Sequence, residues 1–218
     1  MRIVKPSVSL EWITPEPLLA IERAGRVCYK SEDRITQGSA EKFCVMVHQR
    51  GHESVIEHAV ASLRIVCDRG VSHEIVRHRI ASYSQESTRY CNYTKDKFGK
   101  EIAFVRPADL EPCIVYPAVR HDCQRCSGYM AWLAAMNEAS AQYFRLIELG
   151  YSPQIARSVL PNSLKTELVM TANFREWLHF IELRTSAAAH PQMREIALMV
   201  KDILAGECPY IFGEKGKE

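Results

Sequence analysis

Hydrophobic and polar positions along the chain follow helical spacing in some segments and alternate in others, which predicts long helices combined with a few strands. Helical spacing covers residues 15–28, 39–50, 127–149, 153–159, 174–187 and 192–205. Gly51 and Gly150 follow two of these segments, as glycine often does at a helix end. Extended spacing predicts strands at residues 59–67, 89–94, 101–106 and 164–173. The pattern predicts one mixed α+β domain over residues 1–218.

A polar segment in the middle of the chain interrupts this pattern. Residues 77–90 read RHRIASYSQESTRY, with arginines, a histidine and several hydroxyl groups close together. We expect Ser72 to cap a helix through Ile80, with irregular chain following to Ser87. Arginine binds phosphate and carboxylate groups through paired hydrogen bonds, so the segment suits a phosphorylated ligand. A solvated basic helix end is the alternative interpretation.

Composition narrows the possible functions. The chain has 218 residues, of which 47% are hydrophobic and 25% charged, so a packed core is expected. The formal net charge is only +2, whereas general nucleic-acid binders are usually more basic. The sequence shows neither an apolar run of membrane-spanning length nor a signal peptide. We therefore expect a cytoplasmic protein without a nucleic-acid or membrane partner.

The eight cysteines are expected to be free thiols, as in most cytoplasmic proteins. Only Cys123 and Cys126 are close together, with His121 nearby, and these three residues would supply three zinc ligands. A second cysteine pair at zinc-site spacing is absent, so no metal is predicted. His52 and His58 are six residues apart, which does not match a HExxH zinc motif.

Arg184 is predicted to lie on the apolar face of the helix at 174–187. Its stripe at helical spacing consists of Phe174, Trp177, Ile181, Arg184 and Ala188. A buried arginine needs a partner, which is either a carboxylate from a neighbouring element or an anionic ligand.

The middle segment resembles a known signature. Arg77-His78-Arg79, Ser82, Ser87 and Arg89 match RHRxxSxxxxSxR, which is typical of the flavin-dependent thymidylate synthases. Further segments resemble that family in the same order, namely His52-x-Ser54-x-x-Glu57-His58, Ala156-Arg157-x-x-Leu160-Pro161, Thr171-x-Asn173 and Leu183-Arg184. The resemblance covers most of residues 20–210. No cysteine lies in the Pro-Cys-His context of the cysteine-dependent thymidylate synthases.

The resemblance implies a fold with long helices around a curved sheet and a homotetramer with shared active sites. It also implies methylation of dUMP to dTMP, with 5,10-methylene-tetrahydrofolate as carbon donor and a hydride carried by FAD from NADPH. Two alternatives stay open: a related flavoenzyme that modifies another pyrimidine nucleotide, and a non-catalytic nucleotide- or RNA-binding protein.

Carried over residue by residue, the resemblance implies Arg184 as the catalytic residue, which would stabilise charge on the uracil ring. The residues implied for FAD are His52, Ser54, Arg77, His78, Arg79, Gln85, Asn173, Phe174, Arg175 and His179. Those implied for the nucleotide, partly through their backbone, are Glu74, Ile75, Val76, Arg77, Gln85, Glu86, Ser87, Thr88, Arg89, Arg157 and Arg184. The chain departs from the family pattern at Glu74, Ser84-Gln85 and His179.

Overall fold

The computed structural model describes residues 1–110 and 124–213, with the backbone alone for Arg125. The helices are α1 (Pro17–Val27), α2 (Ser39–Gln49), α3 (Glu53–Ile56), α4 (Arg69–Ile75), α5 (Gln124–Glu148), α6 (Pro153–Ala156), α7 (Phe174–Thr185), α8 (Pro191–Glu207) and α9 (Pro209–Phe212). The strands are β1 (Arg2–Val4), β2 (Ser7–Ile13), β3 (Val60–Asp68), β4 (Ala81–Gln85), β5 (Ala103–Val105) and β6 (Lys165–Asn173). Single 3₁₀ turns lie at Glu32–Arg34, Asp96–Phe98 and Arg157–Val159. This mixture of helices and strands confirms the predicted α+β class.

The strands form two sheets. β1 and β5 pair in parallel, with Ile3 opposite Phe104. The second sheet has four strands in the order β2-β3-β6-β4. Along β6 every second residue is buried, as expected for a strand that presents one face to a core.

Most predicted helices are confirmed, with ends within a few residues of the expected ones. Gly51 and Gly150 follow α2 and α5 with φ of 70° and 89°, the left-handed conformation that glycine adopts easily. The helix predicted from Ser72 to Ile80 is wrong in both limits. Asp68 caps it instead by accepting a hydrogen bond from the Val71 N–H at 2.8 Å. The helix ends at Ile75, so Arg77-His78-Arg79 follow it.

Two predictions about strands are also wrong. The chain before Ser87, predicted to be irregular, forms β4, whose polar and small side chains give no apolar alternation. Residues 89–94 form turns and no strand, because the N–H groups of Tyr90 and Cys91 both donate to the Ser87 carbonyl. The short elements β1, β2, α3 and α9 were not predicted.

The chain divides into two compact units. The first unit contains residues 1–6, 66–73 and 85–167. Its core cluster consists of Tyr93, Ile102, Phe104, Met136, Tyr143, Ala156 and Leu164. The prediction of a single domain over residues 1–218 remains a prediction.

The second unit contains residues 7–65, 74–84 and 168–218. In it α7 packs against α8, and α8 packs against β2 and α9. Phe174 and Trp177 on α7 are fully buried, and the Trp177 indole N–H donates to the Ala61 carbonyl at 3.1 Å. Within the described residues, no helix is long and apolar enough to cross a membrane.

Candidate functional site

A candidate site lies in the second unit, and we call it the RHR cavity. Its volume is about 910 Å³. The residues that line it are Glu53, Glu57, Arg77, His78, Arg79, Ile80, Asn173, Arg175, Glu176, Leu178, His179, Glu182, Leu183 and Arg184. The segment after α4 and one face of α7 supply most of these side chains.

Tyr83 holds the RHR segment in place after α4 ends. Its hydroxyl lies 2.6 Å from the His78 carbonyl oxygen and 3.0 Å from that of Ile75. Burial, with a smaller contribution from Glu176, raises the pKa of Tyr83 to about 12. The hydroxyl therefore keeps its proton near neutral pH and donates it to these two carbonyls.

His78 is buried between a carboxylate and a guanidinium. Its Nδ1 lies 3.0 Å from Oε1 of Glu176, and its Nε2 lies 3.1 Å from Nε of Arg184. Arginine can only donate, so Nε2 must accept and Nδ1 must carry the proton. Burial lowers the pKa of His78 and Arg184 lowers it further, against the hydrogen bond to Glu176. The contacts thus define a neutral imidazole in one tautomer.

Arg184 is held at three of its nitrogen atoms. Besides the contact to His78, Nη1 donates to Oε2 of Glu74 at 2.9 Å and Nη2 to the Glu74 carbonyl at 3.3 Å. Of the two partners expected for this arginine, the structure contains the carboxylate. Because Arg184 also lines the RHR cavity, its guanidinium faces a ligand space as well. The helix ends at Thr185, so Ala188 does not belong to the helical stripe.

Two arginines of the RHR cavity, Arg77 and Arg79, have no carboxylate partner among the described residues. The side chains of Arg77 and Arg79 are exposed, and neither has an ion-pair or hydrogen-bond partner in the described parts of the chain. Arg175 differs, because it bonds Glu53 at 3.2 Å and Glu57 at 2.6 Å. Arg77 and Arg79 are therefore the cations most available to an anionic ligand.

A second cavity of about 810 Å³ also lies in the second unit, and we call it the His52 cavity. It contains His52 and Ser54, both exposed, and shares Glu53 and Arg175 with the RHR cavity. Six of the ten residues predicted for FAD line the RHR cavity, and His52, Ser54 and Arg175 line the His52 cavity. These are the residues of the second unit that are available to hold a flavin nucleotide.

A third cavity, the Arg157 cavity, lies in the first unit and has a volume of about 450 Å³. The residues that line it are Arg69, His73, Thr88, Gln154, Arg157, Ser158, Leu160 and Leu164. Nη1 of Arg157 donates to the hydroxyl oxygen of Thr88 at 3.0 Å. Two residues predicted for the nucleotide therefore lie together in this cavity.

Several predicted site residues line none of these three cavities. Phe174 and Ile75 are fully buried in the core, so neither side chain is available to a ligand. Gln85 donates to the hydroxyl oxygens of Ser72 and Thr166 at 2.9 and 3.1 Å. A ligand contact from Phe174 or Ile75 has to come from its backbone.

Four further predicted residues lie on the surface or in local pairs. Glu86 accepts a hydrogen bond from Lys165 at 3.0 Å. Arg89 is exposed, with its guanidinium carbon 5.3 Å from the centre of the Tyr90 ring. Val76 is also exposed. Ser87 accepts a hydrogen bond from the Arg89 N–H at 3.3 Å.

The described residues contain one cluster of potential metal ligands. Ligand atoms of His78, Glu176 and His179 lie within 4.8 Å of one another. A metal ion there would displace the proton between His78 and Glu176. Of the zinc ligands considered from the sequence, His121 and Cys123 lie outside the described residues, and Cys126 is a free thiol.

Sequence reasoning missed Glu176 and Tyr83. Asn173 and Glu176 have the spacing of a capping box, in which the third helical residue returns its carboxylate to the helix start. Only half of that motif forms. Asn173 accepts the Glu176 N–H at 2.9 Å, while the Glu176 carboxylate turns to His78. The spacing of Asn173 and Glu176 predicts the helix cap. No sequence pattern predicts that Glu176 contacts His78, which lies 98 residues away.

The fold and its cavities define an α+β protein in which arginine and histidine side chains line the cavities. The sequence profile of the family described as thymidylate synthase complementing protein matches residues 9–210. The chain belongs to this family.

Three individual relatives, all named flavin-dependent thymidylate synthase, agree with the family match. The chain is 32% identical to the one from Geobacter sulfurreducens, over 93% of this chain and 84% of the relative. It is 33% identical to the one from Pyrococcus furiosus, over 91% and 78%. It is 35% identical to the one from Mycobacteroides abscessus, over 89% and 78%.

Proposed function

We propose that the protein is a flavin-dependent thymidylate synthase. It methylates dUMP to dTMP, taking the carbon from 5,10-methylene-tetrahydrofolate and a hydride that FAD carries from NADPH. The relatives' names and the family match support this reaction. The observation that carries it to this chain's own residues is that the Arg77-His78-Arg79 segment lines the RHR cavity.

The chemistry of the RHR cavity fits FAD. A flavin dinucleotide carries a pyrophosphate, and Arg77 and Arg79 offer guanidinium groups that the described residues do not neutralise. Asn173 uses its side-chain oxygen to cap α7, which leaves its amide N–H groups for a ligand. When bound, FAD supplies the hydride, and the part of these residues is to hold it. His52, Ser54, Arg175 and His179 complete the set proposed for FAD, with Gln85 and the Phe174 backbone.

Arg184 is proposed as the catalytic residue. For carbon C5 of uracil to attack the donated carbon, negative charge must develop over the pyrimidine ring. A guanidinium fixed by Glu74 and His78 stabilises that charge without having to reorganise. Arginine keeps its proton, so Arg184 acts by charge and hydrogen bonding, and it does not transfer a proton.

The remaining nucleotide contacts are assigned to further residues of the predicted set. Arg157 and Thr88 lie in the Arg157 cavity. Glu74, Val76, Gln85, Glu86, Ser87 and Arg89, with the Ile75 backbone, complete the proposed set. Ser87 is assigned as a hydrogen-bond contact, because an activated serine nucleophile needs a base in hydrogen-bond reach.

One observation favours a second candidate, a flavoenzyme that modifies another pyrimidine nucleotide. Glu74 places a carboxylate against Arg184, where the related signature commonly has glutamine. A carboxylate accepts hydrogen bonds only, whereas an amide both donates and accepts, so the base that fits beside it can differ. Comparing turnover of dUMP and dCMP separates the two candidates.

We propose a homotetramer in which active sites are shared between subunits, in the cytoplasm and without a nucleic-acid partner. The modest net charge of +2 is consistent with small-molecule substrates.

The decisive experiment begins with purification and a visible spectrum. We expect a yellow protein, or one that takes up FAD on titration and is bleached by NADPH. Incubation with dUMP, 5,10-methylene-tetrahydrofolate and NADPH is then expected to yield dTMP. A colourless protein that FAD does not titrate contradicts the proposed function and favours a non-catalytic nucleotide- or RNA-binding protein.

A further inference from the structure

The Arg157 cavity contains two basic side chains to which the proposed function gives no role. Arg69 and His73 line it together with Arg157, and none of its lining residues is a carboxylate. The RHR cavity differs in this respect, because Glu53 and Glu57 line it and pair with Arg175. The charge around the Arg157 cavity is therefore positive and not internally balanced.

Arg69 has an incomplete set of contacts. Its Nη1 is buried and has no hydrogen-bond partner among the described residues. Its backbone is fixed, because its N–H donates to the Asn162 carbonyl at 2.9 Å and the Leu164 carbonyl at 3.1 Å. A buried guanidinium N–H without an acceptor is unfavourable, so an acceptor supplied by a ligand is stabilising there.

Arg157 is oriented by a neutral group. The Thr88 hydroxyl oxygen accepts from its Nη1, and Thr88 is only 5% exposed. This contact aligns the guanidinium without neutralising it, so Arg157 keeps its full charge for a ligand. The Thr88 hydroxyl proton has no acceptor in the described parts of the chain, and it supplies a further donor.

We propose that Arg69 and His73 bind the phosphate group of the nucleotide together with Arg157. The proposal rests on the proposed function, which already assigns Arg157 and Thr88 to dUMP. A phosphate monoester offers three acceptor oxygens and nearly two negative charges at neutral pH. It can therefore accept from Arg69 Nη1, the Arg157 fork and Thr88 together, whereas a carboxylate has fewer acceptor sites.

Nucleotide binding with and without the phosphate tests this inference. The dissociation constants of dUMP and of deoxyuridine are measured by calorimetry for the FAD-loaded wild type and for Arg69→Gln. We expect Arg69→Gln to weaken dUMP binding by about tenfold or more, as for loss of a charge-assisted hydrogen bond. Deoxyuridine has no phosphate, so its weaker binding is expected to stay unchanged.

Matched variants and a second probe define the controls. Arg145→Gln removes an exposed arginine paired with Glu148 on α5 and is expected to leave both constants unchanged. His73→Gln is expected to shift dUMP binding in the same direction as Arg69→Gln, by a smaller factor. Inorganic phosphate is expected to compete with dUMP in the wild type and to compete less well in Arg69→Gln.

If Arg69→Gln is folded and keeps the wild-type ratio of dUMP to deoxyuridine affinity, the proposal is wrong. Weaker FAD binding with unchanged dUMP binding also overturns it, because the cavity then serves the flavin phosphates. If Arg69→Gln does not fold, the ratio of dUMP to deoxyuridine affinity is measured for Arg69→Lys and His73→Gln, and an unchanged ratio in both variants contradicts the proposal. The proposed function has a separate test, because dTMP formation by the wild type does not depend on these outcomes.

Discussion

Arg184 donates from Nε to Nε2 of His78 at 3.1 Å, so a cation and a neutral imidazole are direct neighbours in the RHR cavity. The arrangement is stable because Glu176 accepts from the opposite side of the ring and Glu74 accepts from the guanidinium. The four side chains form a continuous chain of hydrogen bonds, in which each member fixes the orientation of the next.

Arg184→Ala is expected to lower turnover about 10²-fold or more, because the guanidinium is proposed to stabilise negative charge on the base. Flavin uptake is expected to persist, because Arg77 and Arg79 remain. The loss leaves the Glu74 carboxylate and Nε2 of His78 without the donor that Arg184 supplies, and it is expected to cost about 1–3 kcal/mol of unfolding free energy. dTMP formation, the flavin spectrum and a thermal melt measure the three effects. A variant that simply unfolds shows that Arg184 is structural.

Glu74→Gln is expected to tighten dUMP binding by a few-fold. The amide oxygen still accepts from Arg184, while the negative charge beside the proposed nucleotide site is removed. Calorimetry with dUMP gives the dissociation constant, and Glu182→Gln, which removes an exposed carboxylate that lines the RHR cavity, is the control. Equal or weaker binding by a folded Glu74→Gln variant contradicts this prediction.

The free energy of unfolding is expected to fall as the pH is lowered through the range below about 6.5. Burial lowers the pKa of His78 in the native state, so the unfolded chain binds a proton that the native protein does not. Stability therefore rises with pH across the interval between the lowered pKa and 6.5, by at most about 1.4 kcal/mol per pH unit for one proton.

Urea denaturation at a series of pH values measures this dependence. His78→Gln is expected to flatten it, and His58→Gln, at an exposed histidine, is expected to leave it unchanged. An unaltered slope in His78→Gln means that other groups are responsible.

Ser87→Ala is expected to retain activity with weaker nucleotide binding. Loss of one neutral hydrogen bond costs about 0.5–1.5 kcal/mol. Within the described residues, no imidazole or carboxylate bonds the Ser87 hydroxyl, so nothing activates it as a nucleophile. Steady-state kinetics and mass spectrometry under turnover provide the measurement. A covalent nucleotide adduct on Ser87 would refute the assignment.

Mixed tetramers are expected to regain activity when Arg184→Ala is combined with Arg157→Ala or Arg89→Ala. In the proposed shared site, Arg184 comes from one subunit and the other two arginines come from another. If active sites are shared between subunits, some sites in a hybrid contain every arginine. Arg89→Ala mixed with Arg157→Ala is expected to recover nothing. Hybrids that form, as shown by native mass spectrometry, and remain inactive contradict shared sites.

Local patterns predicted the long helices and the position of Arg184, because amphipathic spacing repeats over several turns. They failed where polar residues lie close together. Asp68 and Ser72 are both good caps, and the choice between them depends on where β3 ends. β4 has no apolar alternation to reveal it. The partners of Arg184 and His78 lie 110 and 98 residues away, and no local pattern contains such contacts.

At the start of α7, Asn173 caps the helix and the Glu176 carboxylate contacts His78. The stability of this helix end is therefore connected to the chemistry of the RHR cavity. Helix ends open more easily than helix centres. An opening of the first turn of α7 would move Glu176 away from His78, and the imidazole would lose the hydrogen-bond partner of its Nδ1. We therefore expect the cap that Asn173 provides to limit how often His78 changes its protonation, and hydrogen exchange at the Glu176 amide measures how often that cap opens.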